Sequence, residues 1–334
     1  MSGRRTMTRR ELLTASALGA VGVAATAKAV GAAEKLARLE PPHDPDSAGT
    51  VGAVTDVALN PMAFLEEFDF GQVSTLPGGQ TLRRFEIHAV NREIEIAPGV
   101  FFPAWTYNGQ VPGPTLRATE GDLVRVRFHN RSPHPHTIHF HGIHPANMDG
   151  VFEVVQPGET FVYEFVARPF GLHLYQCHTI PIRKHIAKGL YGTFIIDPKD
   201  GRPPAREMVM VMNGFDTNFD GENEVYAVNT VAFAYQQNPI VIQRGELQRI
   251  YLVNTLEFDP VNSLHLHGQL FHVYRTGTSL QPADYTDTIM MCQGERHVLE
   301  FTFDEPGLFM FHAHQSEFSE LGWMGLFNVV DVLA

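Results

Sequence analysis

The 334-residue sequence holds only two cysteines, Cys177 and Cys292. They exclude a disulfide framework and leave room for one bridge at most. Positive charge is scarce as well: 25 Lys and Arg stand against 37 Asp and Glu, a formal net charge of −12. A chain so acidic lacks the basic stripe with which nucleic-acid binders meet phosphate, so no nucleic-acid partner is expected. Long apolar runs are nearly absent. The one candidate, Leu12 to Ala27, is mildly apolar and is stopped by Lys28. It falls short of the roughly 20 residues that span a bilayer, and no stable membrane anchor is expected. Sustained helical periodicity is missing too, which leaves β structure.

Histidine is in surplus: of 17, nine lie between His129 and His185 and four more form two H-x-H pairs near the C-terminus. Hydrophobic content of 44% excludes a disordered chain, and the length fits two domains that each bury a core. At the N-terminus, Thr8-Arg9-Arg10-Glu11-Leu12-Leu13 runs into the apolar stretch and small residues suited to cleavage. This is the pattern of a twin-arginine signal. Residues 1–33 are therefore expected to be a signal peptide, and the mature protein to be periplasmic or secreted.

Residues 34–80 are polar and Pro-containing, and read as an N-terminal extension or arm. From Leu82 onward, short alternating runs such as Leu123-Val124-Arg125-Val126-Arg127-Phe128 are broken by Gly and Pro. That is the pattern of an all-β sandwich. An internal repeat organises the rest. Gly121-Asp122-Leu123-Val124 recurs as Gly245-Glu246-Leu247-Gln248, and His139-Phe140-His141-Gly142 recurs as His265-Leu266-His267-Gly268. The run from Gly171 to His178 recurs from Gly307 to His314. Three pairs in one order mean two copies of one domain, residues 81–200 and 206–334, joined by the turn-rich Asp197–Pro204 linker.

On a strand, residues i and i+2 share a face, so each H-x-H sets two imidazoles side by side. His139/His141, His265/His267 and His312/His314 all do this. Imidazoles with a nearby thiolate favour copper or zinc. A blue-copper centre needs two His and one Cys with a weak axial position; His136, Cys177 and His185 supply the three. Leu190, five residues after His185, falls where an axial ligand would sit and cannot ligate, so a raised reduction potential is expected. Cys292 has no histidine nearby and reads as a buried, inert thiol.

His136-x2-His139-x-His141-Gly, Cys177-His178…His185 and the later pairs resemble the multicopper oxidases, in particular the two-domain, small-laccase-like branch related to copper nitrite reductase. The resemblance covers nearly all of residues 82–334. It implies two tandem cupredoxin-like Greek-key β-sandwiches and about four copper ions per chain. Carried over by position, His136, Cys177 and His185 match the type 1 ligands, and His139 and His265 the type 2 ligands. His141, His178, His267, His312 and His314 match type 3 ligands. In the second copy Asn262, Ala313 and Phe318 stand where type 1 ligands would be, which places that centre in the first domain.

The resemblance further implies one-electron oxidation of phenolic, aromatic amine or metal-ion donors at type 1 copper, coupled to reduction of dioxygen to water. Asp149 matches the acidic residue after the first H-x-H, and Glu317 or Glu320 stands ready to carry protons on the other side. Two-domain relatives share the cluster between subunits, so a homotrimer is expected. One position departs from the family: Gln176 aligns with His312, leaving seven of eight cluster histidines. His173, an odd number of residues away, is expected on the opposite face of its strand. Two alternatives remain. One is a copper electron-transfer or binding protein with a degenerate cluster. The other is a copper nitrite reductase, which would need histidine at position 176 and aspartate at 139.

Overall fold

The computed structural model describes residues 59–331. The twin-arginine segment, the stretch up to residue 58 and residues 332–334 lie outside the described residues.

The first domain is two facing sheets. One is built from β1 (Gln72–Thr75), β2 (Thr81–Ala97), β5 (Leu123–Asn130) and β7 (Thr160–Val166) in that order, with β3 (Val100–Tyr107) also on β2. The other runs β4 (Gly113–Thr119), β9 (Tyr191–Asp197), β8 (Gly171–Gln176), β6 (His139–Phe140). The second domain repeats this frame. β10 (Arg206–Phe215), β13 (Gln248–Asn254) and β18 (Arg296–Phe301) stand in the order of β2, β5 and β7. β12 (Ile240–Gln243), β20 (Met324–Val330), β19 (Gly307–His312) and β14 (Val261–Leu266) stand in the order of β4, β9, β8 and β6. Even the strand directions agree: β2/β5 and β10/β13 are parallel pairs, as are β4/β9 and β12/β20. β11 (Val225–Val228), β15 (Phe271–Arg275), β16 (Asp284–Thr286) and β17 (Thr288–Cys292) extend the second-domain sheets at their edges. The all-β, tandem-sandwich expectation is met.

Alternation along the strands builds three cores. Phe85, Val124, Val126, Tyr163 and Phe165 face Leu116, Phe140, Tyr175 and Phe194 inside the first domain. Met208, Met210, Ile250, Leu252 and Leu299 face Leu264, Phe311 and Phe327 inside the second. The opposite faces meet between the domains, where Leu172 and Leu174 of β8 pack with Val209, Val211, Val253 and Val298. β13 is therefore buried at all seven positions. Each buried leucine or valine of this layer contributes about 1.5–3 kcal/mol, so the junction is a core in its own right.

Within the stretch read as an arm, the described part, residues 59–80, forms β1 and a short helix, α1 (Pro61–Glu66). Asn60 caps α1 by accepting from the Met62 N–H, and proline begins the first turn. Although α1 precedes the first domain, Leu65 packs into the second-domain core and the Tyr235 hydroxyl donates to the Pro61 carbonyl at 2.6 Å. Among the described residues no helix is long and apolar enough to cross a membrane.

Ion pairs tie the junction together. The Arg117 guanidinium of β4 donates to both Asp197 oxygens at 2.8 and 2.9 Å, and to Glu207 of β10 at 2.6 and 3.1 Å. Glu207 also accepts from Arg249 at 3.1 Å and from the Tyr251 hydroxyl at 2.6 Å. Removing one member of so enclosed a network strands the others' charges. Arg117→Leu is expected to lower unfolding stability by about 3 kcal/mol, read as a shifted denaturation midpoint. A midpoint equal to that of the parent chain would show the network to be energetically idle.

Candidate metal centres

The buried triad is assembled by two loops. After β5, Arg131–Pro135 leads to His136, which is held by a two-way backbone bridge to Val155 at 3.1 and 3.0 Å. After β8, the chain passes through Cys177, turns at Pro181 into α2 (Ile182–Ala187) carrying His185, and returns at Leu190. The Cys177 N–H donates to the Leu190 carbonyl at 3.0 Å, and the Leu190 N–H to the His185 carbonyl at 3.2 Å, closing the loop on itself. Leu190 is buried in the core layer that holds Cys177.

His136 Nδ1 and His185 Nδ1 lie 3.1 Å apart, and Cys177 Sγ is 3.1 Å from His185 Nδ1 and 3.9 Å from His136 Nδ1. All three residues are buried. A triangle of this size suits one ion with ligand bonds of about 2.0–2.3 Å. The Thr137 N–H points at Sγ from 3.4 Å, and the Thr179 hydroxyl lies 3.5 Å away. Burial pushes the Cys177 thiol up, while the Thr179 and Thr137 contacts pull the other way. Burial, and then the neighbouring His185, holds His136 well below its ordinary value; burial, and then His134, brings His185 to about 4. Both imidazoles are therefore neutral, the form that ligates.

The remaining histidines form two open sets. In the first domain the His139 ring lies 5.2 Å from both His141 and His178. In the second, His265 lies 4.9 Å from His267 and 5.4 Å from both His312 and His314. His267 Nε2 and His312 Nε2 approach to 3.0 Å. Among the described residues no ring of one set contacts a ring of the other. His139 Nδ1 is turned to the Asp149 carbonyl at 2.7 Å and its carboxylate at 3.2 Å. His265 Nδ1 is turned likewise to the Asp287 carbonyl at 3.0 Å and the Thr288 hydroxyl at 2.8 Å. Nε2 of each is thereby left for a metal. His178 Nδ1 is buried without a hydrogen-bond partner, which fits a nitrogen able to ligate a metal.

The register makes the repeat literal. His139 pairs with Gln176 as His265 pairs with His312. The His178 N–H donates to the Thr137 hydroxyl at 2.9 Å as the His314 N–H does to that of Ser263 at 2.8 Å. Gln176 thus occupies the place of His312. His173 lies on the other face, packed toward Phe194, its Nε2 2.9 Å from the Pro169 carbonyl.

Where the second domain would hold its own thiolate site, it holds core. The Ala313 N–H donates to Trp323 at 3.2 Å and the Trp323 N–H to Phe318 at 2.9 Å, the counterparts of Cys177–Leu190–His185. Asn262, Ala313 and Trp323 are fully buried, and Phe318, on α3 (Ser316–Glu320), stacks on Tyr226 at 4.1 Å. Glu317 and Glu320 stand on the same helix, just beyond His314.

One expectation fails. Cys292 is exposed, not buried. Ile289 and Met291 of β17 point inward, so alternation turns Met290 and Cys292 outward. Sequence reasoning also missed Asp287, Thr288 and Thr179. Asp287 contributes through its backbone carbonyl, which leaves no side-chain signature.

Comparisons agree with this geometry. Residues 89–201 and 201–332 match two family profiles, each described as multicopper oxidase. A solved multicopper oxidase is 55% identical with a TM-score of 0.81, covering 82% of this chain and 98% of that one. The blue copper oxidase from Nitrosomonas europaea is 28% identical with a TM-score of 0.66, covering 74% and 86%. The copper-containing nitrite reductase of Neisseria meningitidis serogroup A is 31% identical over 252 residues, 69% of this chain. The match spans 65% of that relative's length. Fold and comparisons together define a chain of two cupredoxin-like domains that is similar to copper-containing oxidoreductases. More narrowly, the chain belongs to the multicopper oxidase family.

Neutral buried imidazoles link stability to pH. Burial, and then the nearby Arg296, lowers His141 to about 3, and burial lowers His173 to about 4, beside His185 at about 4. The unfolded chain protonates these groups below about 6.5 while the folded chain does not. Stability of the metal-free protein is therefore full above about pH 6.5 and is lost as pH falls toward about 4. Denaturant midpoints measured at about pH 7 and about pH 4.5 check this; equal midpoints would contradict it.

Proposed function

We propose that the chain is a laccase-like oxidase that takes electrons singly from phenolic, aromatic amine or metal-ion donors and reduces dioxygen to water. The observation that carries this reading is the position of Cys177 and His178. Neighbours in the chain, they belong to the buried triad and to the open histidine set respectively. Bound copper would supply one-electron chemistry: type 1 at the triad, types 2 and 3 at the histidine pairs, about four ions per chain. Each dioxygen then consumes four electrons and four protons to give two waters.

The chain's own residues do the positioning. His136, Cys177 and His185 would hold one ion away from water, with Leu190 buried in the same core layer as Cys177. His139 and His265, each fixed through Nδ1, take the type 2 role; His141, His178, His267, His312 and His314 take type 3 roles. Asp149 lies at hydrogen-bond distance from His139 and 3.7 Å from His144, placed to pass a proton toward the open set. Glu317 is the candidate on the second-domain side.

The separation of the two histidine sets supports a homotrimer with each cluster shared between neighbours. So does the contrast between equivalent faces. Leu172 and Leu174 of β8 are buried against the second domain, whereas Leu308 of β19 is 64% exposed. A second copy's first domain is the natural cover. Export through the twin-arginine route completes the proposal.

The nitrite reductase relative favours a second reading. Gln176 and His139 oppose it, standing where that enzyme needs histidine and aspartate. One preparation decides: copper per chain, mass in solution, and turnover with a phenol under oxygen against turnover with nitrite. About four copper ions per chain, a trimer mass and oxygen uptake support the oxidase. Nitrite turnover without oxygen uptake moves the chain to the second reading, and one copper with neither activity makes it an electron-transfer protein. Asp149→Asn is expected to slow oxygen uptake by about 100-fold with copper content unchanged. Unaltered uptake would remove Asp149 from the proton path.

A further inference from the structure

We propose that Ser132 is a positioning residue for the buried thiolate–imidazole centre: its hydroxyl fixes the tautomer and ring orientation with which His136 meets the metal. The inference rests on the reading of His136, Cys177 and His185 as a copper centre.

Ser132 lies four residues before His136 on the loop after β5 and is fully buried. Its Oγ lies 2.9 Å from Asn91 Oδ1, 2.9 Å from His136 Nε2 and 3.2 Å from the His134 N–H. The amide oxygen of Asn91 can only accept. The single hydroxyl proton is therefore committed to it, and the Ser132 lone pairs face the other two groups. His134 donates its backbone N–H to one. The other accepts from His136 Nε2, so that nitrogen carries the ring proton. Nδ1 is left bare, and it is the nitrogen 3.1 Å from His185 Nδ1 and 3.9 Å from Cys177 Sγ.

The loop is braced so that this hydroxyl cannot drift. Asn130 Oδ1 accepts the Ser132 N–H at 3.0 Å, while Asn130 Nδ2 donates to the His134 and Val155 carbonyls at 2.7 and 2.8 Å. Val155 is the residue bridged to His136. Asn91 comes from β2, so the serine is held from two directions.

The second domain is an internal control. Asn254 repeats the role of Asn130: its Oδ1 accepts the N–H two residues on, at 3.1 Å. That residue is Leu256, buried in the second-domain core. Where the repeat has Asn262 in place of His136, it has leucine in place of Ser132. The buried hydroxyl and the imidazole it serves occur together and are lost together. Cost points the same way, since a buried hydroxyl is retained only where its hydrogen bonds are made.

Removing an outer partner of a ligating histidine typically lowers metal affinity by about 10–100-fold. The test uses the full copper-loaded protein and Ser132→Ala, a substitution that adds no bulk, with Ser132→Thr as the variant that keeps the hydroxyl. Copper loss from the triad to a chelator is followed by the thiolate-to-copper absorption band. The histidine pairs are followed separately by total copper. Ser132→Ala is expected to lose triad copper about 10–100-fold more readily and to show a shifted band, and Ser132→Thr to restore both. Nitrogen NMR of the metal-free parent chain gives a readout independent of any variant: His136 is expected with its proton on Nε2. A proton on Nδ1 overturns the proposal. So does a Ser132→Ala protein that melts lower yet keeps the parent's band and copper affinity, since that marks a purely structural serine. A parent chain with no thiolate-to-copper band would instead sink the copper reading of the triad.

Discussion

The molecule hangs on the end of one strand. Side chains alternate across a sheet, so three consecutive residues leaving β8 must point out, in and out again. Gln176 and His178 go to the open histidine face, and Cys177 goes into the core between them. A single peptide therefore separates a dry ligand site from a half-buried one. The return of the chain through α2 to Leu190 closes the buried side, where the Leu190 carbonyl accepts the Cys177 N–H at 3.0 Å. Every other feature of the two sites, from the bridge at His136 to the turn of His139 toward Asp149, adapts to that alternation.

The second domain shows what happens when the same backbone lacks the ligands. His312 and His314 still point out, but Ala313 points in, and the freed volume is filled by Phe318 and Trp323. Main-chain hydrogen bonds are kept to within a few tenths of an ångström while the chemistry is replaced by packing. The two copies also differ in what covers them. The outward face of β8 lies against β18 of the second domain, whereas among the described residues the equivalent face of β19 leaves Leu308 exposed. A frame of two similar domains in series buries one junction and leaves its complement open, the condition under which identical chains close into a ring.

Much of this was legible in the sequence because it depends on spacing. The repeated segments are strand geometry written in residue numbers, and the register shows the repeat at His139↔Gln176 and His265↔His312. Three things were not legible. Cys292 was read from residue type, although its exposure follows from Ile289 and Met291 claiming the inward positions of an edge strand. Asp287 acts through a carbonyl that any residue possesses. The docking of α1 on the second domain depends on a contact between residues far apart in the chain, Pro61 with Tyr235, and a six-residue helix carries no periodic signal long enough to show which face it buries. Local pattern is visible in one dimension; outer hydrogen bonds and long-range docking are not.

Gln176 shows how much one position can alter. An amide oxygen is a neutral acceptor that takes up no proton in the pH range where imidazole does, and it donates to a metal far less strongly. On the proposed reading, the first-domain side of the cluster offers His139, His141 and His178, while the second-domain side offers four imidazoles. The metal nearest Gln176 is then short of one strong ligand. A deficit of that kind is what separates catalytic from structural metal sites: the first keep a coordination position for a small molecule, the second close it. An incomplete ligand set beside His178, one residue from the buried thiolate, is thus compatible with a site that binds an oxygen species there. In a copper store, by contrast, a closed set of imidazoles would hold the ion better. The substitution that weakens the family resemblance is, on physical grounds, no argument against turnover.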